Sequence, residues 1–119
     1  MKKEPPDRPS IVIHVDEGFN ANYILQDILY GIEEEDVFFL TKSVASDSAM
    51  ALAARAALES RLEVGIGLDN MGNIALHYKN MKEPLFSIKA GMGGGEKPER
   101  SLGTNAARLV KGIPLIVNS

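Results

Sequence analysis

Between residues 10 and 68, strand-length apolar runs alternate with helix-length stretches, and no other feature narrows the fold as far. Ser10 to Val15 (Ser-Ile-Val-Ile-His-Val) is a β-branched run with the composition of a buried first strand. Asp16-Glu17-Gly18-Phe19-Asn20 breaks it. From Ala21 onward, Ile24, Leu25, Ile28, Leu29 and Ile32 recur at helical spacing, which predicts a helix over Ala21 to Glu34 with Asn20 as N-cap. Val37 to Thr41 has the length and composition of a second strand. Ser46 or Asp47 is placed to cap an alanine-rich helix over Ala49 to Ser60. Met50, Ala53, Ala54, Ala57 and Leu58 share one face of it, and so many alanines imply a helix close against a sheet. Leu62 to Leu68 reads as a third strand, with Gly65 and Gly67 marking a bulge or a close backbone approach.

The second half changes rhythm. Asp69-Asn70-Met71-Gly72 is turn chemistry, so Asn73 to Lys79 becomes the return strand of a hairpin, and Pro84 to Ala90 an edge strand. Gly91 to Arg100 is a loop by composition. Ser101 or Thr104 then opens a last helix through Lys111, stopped by Gly112 at the C′ position and by Pro114. The expected fold is α/β: a single-domain sandwich with a mixed β-sheet flanked by helices, covering residues 10–119 after a flexible tail over residues 1–9. There is no internal repeat. A chain of 119 residues suits one domain, able to bury roughly two-thirds of its unfolded surface.

Composition removes several function classes. Lys plus Arg (13) against Asp plus Glu (16) leaves a net charge of −3 with no basic tract, so nucleic acid is not an expected partner. With no Cys there is no disulfide framework, no thiolate nucleophile and no Cys-ligated metal, and an intracellular, cytoplasmic setting fits. His14 and His77 are too few for most zinc sites. No apolar run approaches the roughly 18 residues of a membrane span, and the proline-rich start reads as a tail, not a signal peptide.

The acidic run Glu33-Glu34-Glu35-Asp36 falls where the first helix ends, at the negative pole of its macrodipole, and neighbouring carboxylates repel. A basic groove on a partner, or a divalent cation taking one carboxylate as ligand, would compensate; screening by water and salt is the blander account. Gly91-x-Gly93-Gly94-Gly95 lacks the Lys-Ser/Thr pair of a phosphate loop, and Gly65-x-Gly67 lacks the rest of a dinucleotide fingerprint. His77-Tyr78-Lys79-Asn80 groups polar residues at a strand end, but no Ser/His/Asp set can be assembled by spacing. Asn105, Arg108 and Lys111 lie at i, i+3 and i+6 of the last helix, with Ala106, Leu109 and Val110 on its buried side. They could offer a positive edge to an acidic partner, or simply suit the dipole as C-terminal cations.

Certain words of the sequence carry a resemblance. Gly31-Ile32-Glu33-Glu34-Glu35, His77-Tyr78-Lys79-Asn80, Pro84-Leu85-Phe86 and above all Gly103-Thr-Asn-Ala-Ala-Arg-Leu-Val-Lys-Gly-Ile-Pro114, with the ending Asn118-Ser119, resemble the small subunit of the diol and glycerol dehydratase reactivases. The resemblance spans nearly the whole chain, although the Gly91 to Gly95 loop departs from the family pattern and inherits no role. It implies a non-catalytic subunit of a chaperone-like machine that rescues adenosylcobalamin-dependent dehydratases, with a fold like the dehydratase medium subunit. The implied partners are a large ATPase subunit, in a heterotetramer of two large and two small chains, and the dehydratase, by subunit exchange. The chain itself would carry no cofactor and no catalytic residue. Mg2+ and ADP or ATP would sit at the large subunit, inside or outside a bacterial microcompartment. The resemblance also implies that Glu34 reaches that magnesium; Glu33, Glu35, Arg108 and Lys111 are further partner-facing candidates, and for Arg108 and Lys111 the resemblance leaves open whether they contact a partner or close the helix. A subunit of the dehydratase itself is the alternative reading, and a stand-alone enzyme with Glu34 and His77 as an acid/base pair is a third. An isolated small subunit is expected to self-associate through its vacant interface.

Overall fold

The first apolar run, β1 (Ile11–Asp16), lies inside a sheet, with β2 (Phe39–Val44) parallel on one side and β3 (Val64–Leu68) parallel on the other. The hairpin partner β4 (Asn73–Tyr78) and then β5 (Phe86–Lys89) add antiparallel, giving the order β2-β1-β3-β4-β5. The computed structural model describes residues 8–90 and 98–116. The chain moves one way from β1 to β2 through α1 (Asn22–Glu34) and back past β1 to β3 through α2 (Ala49–Glu59). Right-handed crossovers in opposite directions place those helices on opposite faces. The final helix, α3 (Pro98–Lys111), joins α1. The result is a single α/β domain with a five-stranded mixed sheet and three helices, as expected.

Strand alternation divides the core. Ile11 and Ile13 of β1, Val64, Ile66 and Leu68 of β3, and Ile74 and Leu76 of β4 face Ile24, Ile28, Leu29 and Ile32 of α1 and Leu102, Ala106 and Ala107 of α3. The opposite face offers Gly65, Gly67 and Ala75 to α2. A Cβ on Gly65 would stand 2.2 Å from the Ala57 amide nitrogen, and one on Gly67 2.3 Å from the Ala49 carbonyl oxygen. Of the two roles open to these glycines, close backbone approach is therefore the real one, and β3 keeps continuous register with β4 from Val64–Tyr78 to Leu68–Ile74.

Several expected details are corrected. The α2 stripe is rotated: Ala49, Leu52, Ala53, Ala56 and Ala57 are buried, whereas Met50 and Leu58 are 51% and 62% exposed. A sheet surface made of glycine admits small side chains, so it selects the alanine-richest face over the one with the larger apolar residues. Ser48, not Ser46 or Asp47, caps α2, its Oγ accepting the Ala51 N–H at 3.1 Å. Asp47 instead accepts the Ser48 N–H at 2.8 Å. Helix α1 begins after Ala21 with no side-chain cap, so Asn20 does not serve as one. β2 is displaced downstream from Val37–Thr41 and is a largely exposed edge strand. β5 is shorter than Pro84–Ala90. Helix α3 starts at Pro98, within the stretch expected to be loop, with Pro in its first turn and Glu99 beside it, an arrangement that favours a helix start. Its end conforms: Gly112 has φ +71°, and the Gly112 and Ile113 amides donate to the Leu109 and Arg108 carbonyls at 3.3 and 3.1 Å. The expected tail, but for Arg8 and Pro9, and the Gly91 to Gly95 loop lie outside the described residues.

Candidate functional site

Two glycines bring α1 and α3 into backbone contact. A Cβ on Gly31 would sit 2.2 Å from the Arg100 carbonyl oxygen, and one on Gly103 2.0 Å from that of Ile28. Thr104 Oγ1 donates to the Arg100 carbonyl at 3.1 Å and lies 3.5 Å from that of Gly31. The contacting pairs 28–103, 31–104 and 35–108 advance together, so the helices run the same way and their C-termini lie side by side. Two negative dipole ends therefore meet where the acidic run begins.

The compensation for that charge comes from within the chain. Glu34 receives both prongs of the Arg100 guanidinium, Nε to Oε1 at 3.2 Å and an Nη to Oε2. This hydrogen bond, against an opposing desolvation and with the guanidinium charge adding to it, holds the Glu34 carboxyl below its ordinary value. Glu35 is more enclosed. Its carboxylate accepts from Arg108 Nε and Lys111 Nζ, each at 3.3 Å, and its backbone carbonyl accepts from Lys111 at 3.0 Å. The C-terminal cations of α3 thus serve two helix ends. Asp36 adopts φ +64° and its N–H donates to the Glu33 carbonyl at 2.9 Å, so it also terminates α1. Glu33 turns away and lines, with Asp36, Val37, Phe38 and Phe39, a shallow depression. Arg8 stacks 4.2 Å above the exposed Phe38 ring.

Of the residues singled out in the sequence, Glu34, Glu35, Arg108 and Lys111 are brought together at one end of the α1–α3 pair, with Glu33 at its margin. Asn105 is not on that edge. It is buried and clamps the chain after α3, its Nδ2 donating to the Ile116 carbonyl at 2.9 Å and its Oδ1 accepting the Ile116 N–H at 2.6 Å. Arg100, expected within the Gly91 to Arg100 loop, lies instead in the first turn of α3. The signal for it was Pro98-Glu99, a helix opening that places Arg100 on the first turn.

The histidines lie elsewhere. His14 and His77 belong to the sheet face under α2, in register with Gly67 and Gly65, across the sheet from Glu34. His14 Nε2 donates to Glu59 Oε1 at 3.1 Å, and Lys42 Nζ donates to the same oxygen at 2.9 Å. Burial pushes the Glu59 carboxyl up, but the bonds from Lys42 and His14 leave it lowered overall. His77 Nε2 donates to the Met81 carbonyl at 2.9 Å. Glu34 and His77 therefore do not form an acid/base pair. At the carboxyl ends of the parallel strands, where ligands of such sheets bind, the two buried carboxylates are occupied by their own loops. Asp16 accepts from the Gly18 N–H and Ser46 Oγ, and Asp69 from Met71, Asn73 and the Asn73 side chain. Among the described residues, no three His, Asp or Glu side chains converge to hold a metal, and no helix is long and apolar enough to cross a membrane. Chemically the acidic end is a charged surface with three exposed carboxylates, Glu33, Glu34 and Asp36, all hard-oxygen donors, of which Glu34 is paired with the Arg100 guanidinium.

Residues 8–116 match the family described as the dehydratase medium subunit. The chain is 40% identical over 108 residues to the propanediol dehydratase-reactivating factor small subunit of Citrobacter freundii, covering 89% of each chain. It is 37% identical over 108 residues to the diol dehydratase-reactivating factor small subunit of Klebsiella michiganensis, covering 89% of this chain and 82% of that one. Its fold matches the structure of diol dehydratase-reactivating factor complexed with ADP and Mg2+, at TM-score 0.79 and 35% identity, over 93% of this chain and 100% of that one. It likewise matches glycerol dehydratase reactivase at TM-score 0.83 and 30% identity, over 92% and 97% of the two chains.

Proposed function

This chain belongs to the dehydratase medium subunit family and, within it, to the small subunits of dehydratase-reactivating factors, and from that premise we propose that it acts by exchange with the medium subunit of a dehydratase. In this reading it is the non-catalytic small subunit of an ATP-dependent reactivase for an adenosylcobalamin-dependent diol or glycerol dehydratase. It leaves its large ATPase partner, the dehydratase subunit takes the vacated place, and the distorted enzyme releases its damaged cobalamin. One observation carries the proposal: the same stretch of chain answers both to the family described as the dehydratase medium subunit and to the reactivating-factor small subunits. Two chains that share a fold can compete for one docking surface, which exchange requires.

The acidic end is the proposed meeting place with the large subunit, in a complex of two large and two small chains working in the cytoplasm or in a microcompartment. Glu34 supplies one carboxylate to a magnesium ion held chiefly by the large subunit beside ADP or ATP, since this chain assembles no set of three donors among its described residues. The fit is supported by its chemistry: an exposed carboxylate that already takes a cationic group, the Arg100 guanidinium, at both oxygens. A bound magnesium would join carboxylates from both sides of the interface. Glu35, tied to Arg108 and Lys111, holds the end of α1 in place, and Glu33 offers its carboxylate at the rim.

The test is to co-express this chain with its cognate large subunit and supply inactivated dehydratase with ATP, magnesium and fresh adenosylcobalamin. Recovery of activity that needs both chains is expected. Recovery with the large subunit alone would overturn the proposal. Stable co-purification of this chain with catalytic dehydratase subunits and bound cobalamin would favour the second reading, a dehydratase subunit, which the family description itself suggests.

A further inference from the structure

Arg100 is placed as a built-in rival for whatever cation Glu34 serves. Gly31 rests on the Arg100 backbone carbonyl, so Arg100 meets α1 near its last turn. Glu34 lies three residues beyond Gly31 and Asp27 four before it, both on the α1 face that Arg100 crosses. The guanidinium therefore lies within the influence of two carboxylates. It binds Glu34 bidentately and feels the charge of Asp27 alongside. The pair is accessible, with Arg100 and Glu34 side chains 41% and 52% exposed, so it can open without disturbing the core. When Glu34 is taken by another cation, Asp27 remains within the same helix face to receive the guanidinium.

We propose that Arg100 is an internal competitor that occupies the Glu34 carboxylate in the free chain and yields it, turning toward Asp27, when the chain docks on a partner that presents a divalent cation. The inference rests on the reading of Glu34 given above and adds its regulation. An occupied carboxylate lowers the apparent affinity for the cation by the fraction of chains in which it is free. The free chain then gathers few stray cations, and the partner's ion captures Glu34 only when docking geometry favours the exchange.

The test measures association of this chain with its cognate large subunit, with ADP present, by calorimetry across a magnesium chloride series. For R100Q the magnesium concentration giving half-maximal association should fall by about two- to fivefold, the range an exposed ion pair can supply. R100K should shift it less, because a lysine keeps the charge but not the two-pronged fork. D27N should shift it upward, since the displaced guanidinium loses its second acceptor. Magnesium dependence that vanishes in E34Q but is unmoved in R100Q and R100K overturns the competitor while leaving the Glu34 reading intact. Magnesium dependence that persists unchanged in E34Q overturns that reading, and the competitor with it. The Arg100 backbone carbonyl, which accepts from Thr104, is kept in every variant, and R100K preserves the charge should R100Q fold poorly.

Discussion

Beneath α2 the sheet presents Gly65, Gly67 and Ala75, whereas toward α1 and α3 it presents Ile11, Ile13, Val64, Ile66, Leu68, Ile74 and Leu76. On the first face the helix backbone lies almost on the strand backbone, and the contact has little room to adjust. On the second, a layer of large aliphatic side chains separates the sheet from its helices, and the glycines have moved outward to the α1–α3 crossing at Gly31 and Gly103. The same device thus locks a helix to the sheet on one side and two helices to each other on the other. The second arrangement gathers an acidic run and its cations at one end, because it sets two helix C-termini together. The first encloses two histidines whose Nδ1 atoms are buried without a partner among the described residues. One face is a structural lock, and the other positions the proposed site.

The largest effect should come from filling the locks. Gly67→Val drives side-chain atoms into the Ala49 and Ala53 backbone and should cost at least about 3 kcal/mol or abolish cooperative unfolding. Gly103→Val meets the Ile28 carbonyl just as closely, but α3 can tilt outward, so the loss in a urea titration should be smaller. Equal losses would break the comparison. Next, Asn105→Ala leaves the Ile116 amide and carbonyl without their clamp and should cost about 1–3 kcal/mol in the same titration, while leaving the α2 face unchanged in amide exchange. The smallest effect is in pH. Desolvation raises the Asp69 carboxyl, but bonds from Asn73, Met71 and Ala49 outweigh it, and Glu59 is lowered similarly by Lys42 and His14. A carboxyl lowered on folding contributes stability above the ordinary carboxylate range of about 4 and loses it as pH falls through its lowered folded value. The thermal midpoint should therefore hold from about pH 7 to 5 and decline below about pH 4. That decline should be shallower in Glu59→Gln, and an unchanged acid limb in that variant would show that the α2 face is not sensitive to acid.

The strand and helix alternation, the hairpin after Leu68 and the stop at Gly112 were legible because each is written in neighbouring residues: β-branched runs, turn chemistry, a glycine free to take positive φ. The α2 face was not. Several faces of that helix are apolar enough to bury, and the choice fell to Gly65 and Gly67, which accept alanine and leave Met50 and Leu58 in solvent. The acidic end divides in the same way. That Glu33 to Asp36 sit unfavourably at a helix end follows from the sequence, as does the need for something positive nearby. That the positive groups are Arg100, Arg108 and Lys111, from a helix more than sixty residues later in the chain, was decided by the tertiary structure. Local propensity and periodicity act over a few residues, so the sequence by itself determined the elements, their punctuation and the charge imbalance. Packing and Coulomb attraction act through space, so only the close crossing of α1 and α3 could decide which charges meet.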